Sequence, residues 1–226
     1  MPAELQDEIV NPVRHVIYLH GFVSSPSSSK ATWFRRELGA RGVGFSCPDF
    51  NEPSFETLTI TRMLDQTRDA IAAASDGPIA LVGSSLGAFV ALHAAAADRT
   101  GRVDRLVLLA PAVDFGGNRL RQLGEHGVDE WRRTGTLTVY HFAYGGLRDV
   151  RFDLYEDAAR YDAFAIDVRQ PALVVQGRGD EVVDAASVER WAAARPAVDL
   201  RLVDDGHQLT ASMPFVWDES VTFFGL

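Results

Sequence analysis

Short apolar runs recur along this chain, separated by longer stretches in which apolar residues return every three or four positions. The runs predict strands at Val16–Leu19, near Val43–Cys47, from Ile79 to about Gly83, and at Val103–Ala110, Pro171–Gln176 and Val198–Val203. Several of them are short, rich in Val, Ile and Leu, and have Gly or Pro at their ends, the pattern of strands buried on both faces. Between them the helical period predicts helices at Lys30–Ala40, Phe55–Ala74, Leu86–Asp98, Ala185–Ala194 and Pro214–Phe223. In the second of these, Leu58, Met63, Leu64 and Ile71 share one face, and Asp76-Gly77-Pro78 stops it. In the third, Ala91 and Ala94–Ala97 make a thin helix able to lie close against a sheet. Strands alternating with helices imply an α/β fold, a mostly parallel central sheet of about six strands with helices on both faces. The rhythm breaks over 112–165. That stretch holds Gly116-Gly117, polar helix candidates at Asn118–Leu123 and Val128–Arg133, and a hairpin of Leu137–Phe142 with Val150–Leu154 around Gly145-Gly146.

At 226 residues the chain is expected to form one domain, 1–226, with 112–165 as a cap-like insertion within it. Its net charge of -9 argues against a nucleic-acid partner and against an anionic membrane surface. A single cysteine, Cys47, excludes an internal disulfide. Met1–Val13 carries Glu4, Asp7 and Glu8 and has no apolar core of a signal peptide, so the expected location is the cytoplasm. No run reaches the length of a membrane span. HExxH, CxxC, P-loop and GxGxxG patterns are all missing, so neither a metal nor a nucleotide cofactor is expected. The oligomeric state is left open.

The chemistry gathers on Gly83-Ser84-Ser85-Leu86-Gly87, a G-x-S-x-G turn between a predicted strand and a predicted helix. Such a turn lifts the Ser85 hydroxyl off the sheet, and glycines are needed where flanking side chains would strike backbone. A serine hydroxyl is a weak nucleophile until a base takes its proton, and the base needs a third group to hold its tautomer. In chains with this elbow the order is Ser, acid, His. Asp180, in Gly179-Asp180-Glu181, and His207, in Gly206-His207, follow in that order, each in the loop after a predicted strand. Asp114 is the rival acid; Glu181 and Asp184 read as solvated. An oxyanion needs two preorganised donors. The N–H of Leu86 is one, and the N–H of Phe22, in His20-Gly21-Phe22 after the first strand, is the other. His20 is expected to shape that turn. The loops of His20, Ser85, Asp180 and His207 all fall at the carboxyl end of the sheet, where such sheets bind ligands.

Tyr18-Leu19-His20-Gly21-Phe22 with Ser24-Ser25-Pro26 and Lys30-Ala31, Val82–Gly87, Gly179-Asp180-Glu181-Val182, Gly206-His207 and the closing Phe223-Phe224-Gly225-Leu226 together resemble α/β-hydrolases, and among them the small YqiA-type bacterial esterases. The resemblance implies hydrolysis of short acyl esters, or of acyl thioesters, without a cofactor, with Ser85 as nucleophile, Asp180 as acid and His207 as base. The chain departs from the pattern at Ala88, around His207 and in the length of 112–165, which in this fold forms a cap over the acyl pocket. The reading is therefore a serine esterase for small acyl groups, its partner a small-molecule acyl ester. An acyl-thioesterase, a perhydrolase or a C–C bond hydrolase uses the same three residues. A non-catalytic ligand-binding protein on the same scaffold is the alternative of another class. Trp131, Tyr140, Phe142 and Tyr144 are candidates either for lining an apolar acyl site or for packing.

Overall fold

A computed structural model describes residues 11–226, except the side chains of 116–122. The Met1–Val13 stretch therefore lies largely outside the described residues. Six strands form one parallel sheet: β1 (His15–Leu19), β2 (Gly44–Ser46), β3 (Ile79–Ser84), β4 (Val103–Leu109), and, later in the chain, the strands Ala172–Gly177 and Val198–Val203. A separate antiparallel hairpin of β5 (Thr136–His141) and β6 (Gly146–Arg151) precedes those two, which are therefore β7 and β8. The sheet order is β2-β1-β3-β4-β7-β8. The helices are α1 (Ser29–Gly39), α2 (Ile60–Ala73), α3 (Leu86–Ala97), α4 (Phe115–Thr134), α5 (Asp153–Ala158), α6 (Ala185–Ala193) and α7 (Met213–Phe224).

Alternation along the strands divides the core in two, as period-2 geometry requires. Ile17, Leu19, Leu81, Leu106, Leu108 and Val174 face one side, packing with α2, α3 and α6 through Met63, Phe89 and Trp191. Val16, Tyr18, Val82, Val107, Leu109 and Val175 face the other, against Phe34 and Leu38 of α1 and Val216 and Trp217 of α7. Because α1 and α3 leave on opposite faces, the connections after the adjacent strands β1 and β3 diverge. That divergence opens a crevice at their carboxyl ends, the topological switch point of the sheet. The small side chains of α3 do bring it against the sheet: every residue from Leu86 to Ala95 is buried, although Ala96 and Ala97 are exposed.

Four element boundaries differ from the sequence reading. The second strand is three residues long. The helix expected from Phe55 starts at Ile60, because Thr59 is extended and its hydroxyl caps the N–H of Arg62; Phe55–Thr57 is a separate 3₁₀ turn capped by Ser54. The two polar helix candidates form one stretch, α4, broken at Gly124 with φ 66°. In the hairpin Tyr140 pairs with Leu147 and His141 with Gly146, so the return strand starts at Gly146 and Leu154 belongs to α5. Gly145, at φ 61°, closes the turn in the left-handed region that favours glycine.

Candidate active site

Ser85 sits between β3 and α3 at φ 54°, ψ -117°, a sparsely populated conformation for a side-chain-bearing residue. The neighbouring backbone holds it there. Its N–H donates to Leu109 O at 2.9 Å, and its carbonyl accepts from the N–H groups of Ala88 at 3.0 Å and Ala112 at 3.2 Å. The two flanking glycines are sterically demanded. A Cβ on Gly83 would stand 2.4 Å from Ala88 Cα, and one on Gly87 would stand 2.0 Å from Leu19 O. Leu86 opens α3, so its N–H is among the helix's first donors, which have no intrahelical acceptor.

After β7, Asp180 carries a fully buried carboxylate, and after β8, His207 places its imidazole against it. His207 Nδ1–H donates to Asp180 Oδ2 at 2.9 Å and lies 3.1 Å from Oδ1. The same carboxylate accepts from the N–H groups of Val182 and Val183, both at 2.8 Å, and from Gln176 Nε2 at 3.0 Å. Burial alone would raise the Asp180 pKa. The hydrogen bond and charge of His207 and the N–H groups of Val183 and Val182 outweigh it, and the carboxyl lies below its ordinary 3.8. A neutral imidazole that donates from Nδ1 keeps the lone pair of Nε2 for accepting a proton.

A carboxylate with a depressed folded pKa stabilises the fold fully above its unfolded value, and that contribution is lost as pH falls through the folded value. The parent is therefore expected to melt above Asp180→Asn at pH 7, and the two melting curves to converge below about pH 4. Thermal denaturation across that range measures it, and a constant gap would contradict the assignment.

Ser85 and His207 line one cavity of about 790 Å³. The structure brings His207 to Asp180 in hydrogen-bond contact and places Ser85 in the same cavity wall; the Ser85 hydroxyl and His207 make no hydrogen bond to each other. Asp114, the rival carboxylate, stands at the N-terminus of α4, and the carboxylate that meets His207 is Asp180. Phe22 and Leu86 line the cavity as well. The loop bearing Phe22 is braced by His20, whose Nδ1–H donates to Gly21 O at 2.9 Å while Nε2 accepts from Phe50 N–H at 3.0 Å. A trans peptide is planar with its C=O and N–H opposed, so anchoring Gly21 O toward the His20 ring turns the Phe22 N–H the other way.

The hairpin supplies another wall through Val139, Tyr140, Phe142 and Ala143. Trp131 instead packs in the core and donates to Val150 O at 3.1 Å, and Tyr144 stacks on His141. Two polar residues near the site escaped the sequence reading. Gln176, at the buried end of β7, carries one local signal, a polar residue directly after an apolar run. Asn51 is buried and bridges three segments: its amide donates to Ser24 O at 2.9 Å and to Asp49 Oδ1 at 2.8 Å, and its oxygen accepts from His141 Nε2 at 3.1 Å. Nothing in its local sequence marks it, since Ser24 and His141 lie far away in the chain.

A model described as an uncharacterised protein family, UPF0227, matches residues 15–223. The palmitoyl-protein thioesterase ABHD10 of Homo sapiens, a mitochondrial protein, is 26% identical over 178 residues, 74% of this chain; the chain spans 57% of that relative's length. Among solved structures, mouse α/β-hydrolase domain-containing protein 10 superposes with a TM-score of 0.76 at 23% identity, over 92% of this chain and 89% of its own. Est1E of Butyrivibrio proteoclasticus with bound ferulic acid superposes at 0.76 and 19% identity, over 94% and 88%. These likenesses establish the α/β-hydrolase fold. Among the described residues, no helix is long and apolar enough to cross a membrane.

Proposed function

Since the chain belongs to the UPF0227 family and carries the α/β-hydrolase fold, we propose that it is a serine hydrolase of carboxylic esters acting through an acyl-enzyme on Ser85. The single observation that carries this reading is the His207–Asp180 hydrogen bond in the wall of the cavity that also holds the strained Ser85. His207 Nε2 takes the hydroxyl proton as Ser85 Oγ attacks the acyl carbonyl, and Asp180 stabilises the imidazolium. The N–H groups of Leu86 and Phe22 receive the charge that develops on the carbonyl oxygen. Collapse of the tetrahedral intermediate expels the alcohol, which takes the proton from His207. Water, activated by the same imidazole, then releases the acid and restores Ser85.

The apolar wall of Phe22, Val23, Leu86, Phe115, Val139 and Phe142 takes the acyl chain in this reading. A cavity of about 790 Å³ accommodates far more than an acetyl group. Each buried methylene contributes about 0.8 kcal/mol, so kcat/KM is expected to rise by up to about fourfold per methylene from acetate upward until the wall is filled. A series of p-nitrophenyl esters measures this; a flat series would remove the acyl chain from that wall. A thioester substrate is the second reading, favoured by the likeness to a palmitoyl-protein thioesterase. Acyl-CoA and acyl-cysteamine thioesters of matched chain length, run beside the esters, separate the two. Absence of turnover on every substrate, with no labelling by a fluorophosphonate, would leave the binding-protein alternative standing.

A further inference from the structure

Of 22 basic residues only Lys30 is a lysine. It is the second residue of α1, it is buried, and it lines the cavity that holds Ser85 and His207. Its ammonium donates to the main-chain oxygen of Gln208 at 2.8 Å and to the side-chain Oε1 of the same residue at 3.2 Å. Asp205 and Asp180 act on it only through space, and burial dominates, drawing its pKa down to about 8. An ammonium buried against neutral acceptors is costly for the fold. Here that group grips the residue directly after His207.

The backbone beyond Gln208 is constrained as well. Leu209 is buried at φ 53°, left-handed and strained for leucine, and its N–H closes the turn onto Gly206 O at 3.1 Å. The imidazole is thus anchored on its Nδ1 side by Asp180, while the main chain just past it is anchored to the first turn of α1, a helix whose start is capped by Ser28. We infer that Lys30 is a positioning residue for His207: by holding Gln208 against α1 it keeps the imidazole turned into the Ser85 cavity. This inference rests on the role proposed for His207, and it adds a function to a lysine that the esterase reading leaves unused.

Lys30→Met keeps the unbranched apolar stem of the side chain and removes the charge and the donors. The experiment measures kcat and KM on p-nitrophenyl butyrate, the melting temperature, and the imidazole ¹⁵N–¹H signals of His207. The expected result is a kcat lower by about 10- to 100-fold with KM within about twofold, the scale of a catalytic group displaced by about an ångström. The His207 Nδ1–H signal broadens, and the melting temperature stays equal to or above the parent's, because a buried cation has gone. Loss of activity that merely follows a lowered melting temperature, with His207 signals unchanged, would assign Lys30 to stability alone and overturn the inference. So would a raised KM at constant kcat, which would place Lys30 on the substrate, or no change at all. If Lys30→Met fails to fold, Gln208→Ala removes the side-chain bond alone; it is expected to lower kcat about threefold with broadened His207 signals, and an unchanged enzyme overturns the inference. If the parent itself turns over no ester, the proposed activity fails, and the His207 signals still decide what Lys30 does.

Discussion

Ser85→Ala is expected to lower kcat on p-nitrophenyl butyrate by about four orders of magnitude or more, with little change in KM or in melting temperature. The size follows from what remains. Without the hydroxyl no acyl-enzyme forms, and His207 with Asp180 has nothing to activate but water. The donors around the oxyanion and the binding wall persist, so a residual rate above the uncatalysed one survives. Stability is spared because Ala at φ 54° meets the same backbone strain as Ser, and the bonds that fix position 85 are main-chain bonds to Leu109, Ala88 and Ala112. Covalent labelling by a fluorophosphonate disappears in the same variant. A variant that retained the parental rate would remove Ser85 from the chemistry, whatever the geometry around it.

Gly87→Ala is the second large effect, and it falls on the fold. The added Cβ would lie 2.0 Å from Leu19 O and 2.7 Å from His20 O. Both oxygens are backbone, at the end of a central strand paired with β2 on one side and β3 on the other, so neither can step aside without breaking the sheet. A cost of roughly 3–5 kcal/mol is expected, against a total stability of about 5–15 kcal/mol for a typical domain. Gly39→Ala is the matched control: Gly39 is exposed at the end of α1, with nothing within 4 Å of an added Cβ. It is expected to be neutral or to stabilise by about 0.5–1 kcal/mol. Urea denaturation of both variants measures the contrast. A Gly87→Ala protein within about 1 kcal/mol of the parent would show that α3 can retreat from β1.

Much of this architecture was readable because its signals are local. Val16–Leu19 and Leu106–Ala110 announce themselves as unbroken apolar runs, and G-x-S-x-G carries its steric demand in five consecutive residues. The order Ser85, Asp180, His207 could be placed on the chain because each residue follows a strand that is itself legible. Boundaries decided by single hydrogen bonds were less visible. Thr59 looked like one more residue of an amphipathic helix, yet its hydroxyl caps Arg62 and moves the start to Ile60. The return strand of the hairpin was placed too late because Val150, Phe152 and Leu154 alternate with polar residues in a strand-like pattern, whereas the turn at Gly145 sets the register from the other end. Residues whose meaning depends on distant partners could not be read at all. Asn51 reaches His141 across 90 positions and Lys30 reaches Gln208 across 178. A buried polar side chain tells its purpose only once the fold has supplied its partner.

The hairpin of β5 and β6 joins no strand of the six-stranded sheet. Hydrogen bonds tie it to the rest of the fold at His141 to Asn51, Phe142 N–H to Val23 O and Val150 O to the Trp131 indole, and Leu137, Val139 and Val150 pack against the core. Its side chains nevertheless shape the cavity, and Phe142 and Leu147 stand 72% and 65% exposed. Mutations there change what the cavity admits without touching the ladder that stabilises the domain. Selection can therefore retune molecular preference on the hairpin while the scaffold drifts under separate constraints. Two descendants of one ancestor can keep a superimposable sheet and come to serve different metabolites.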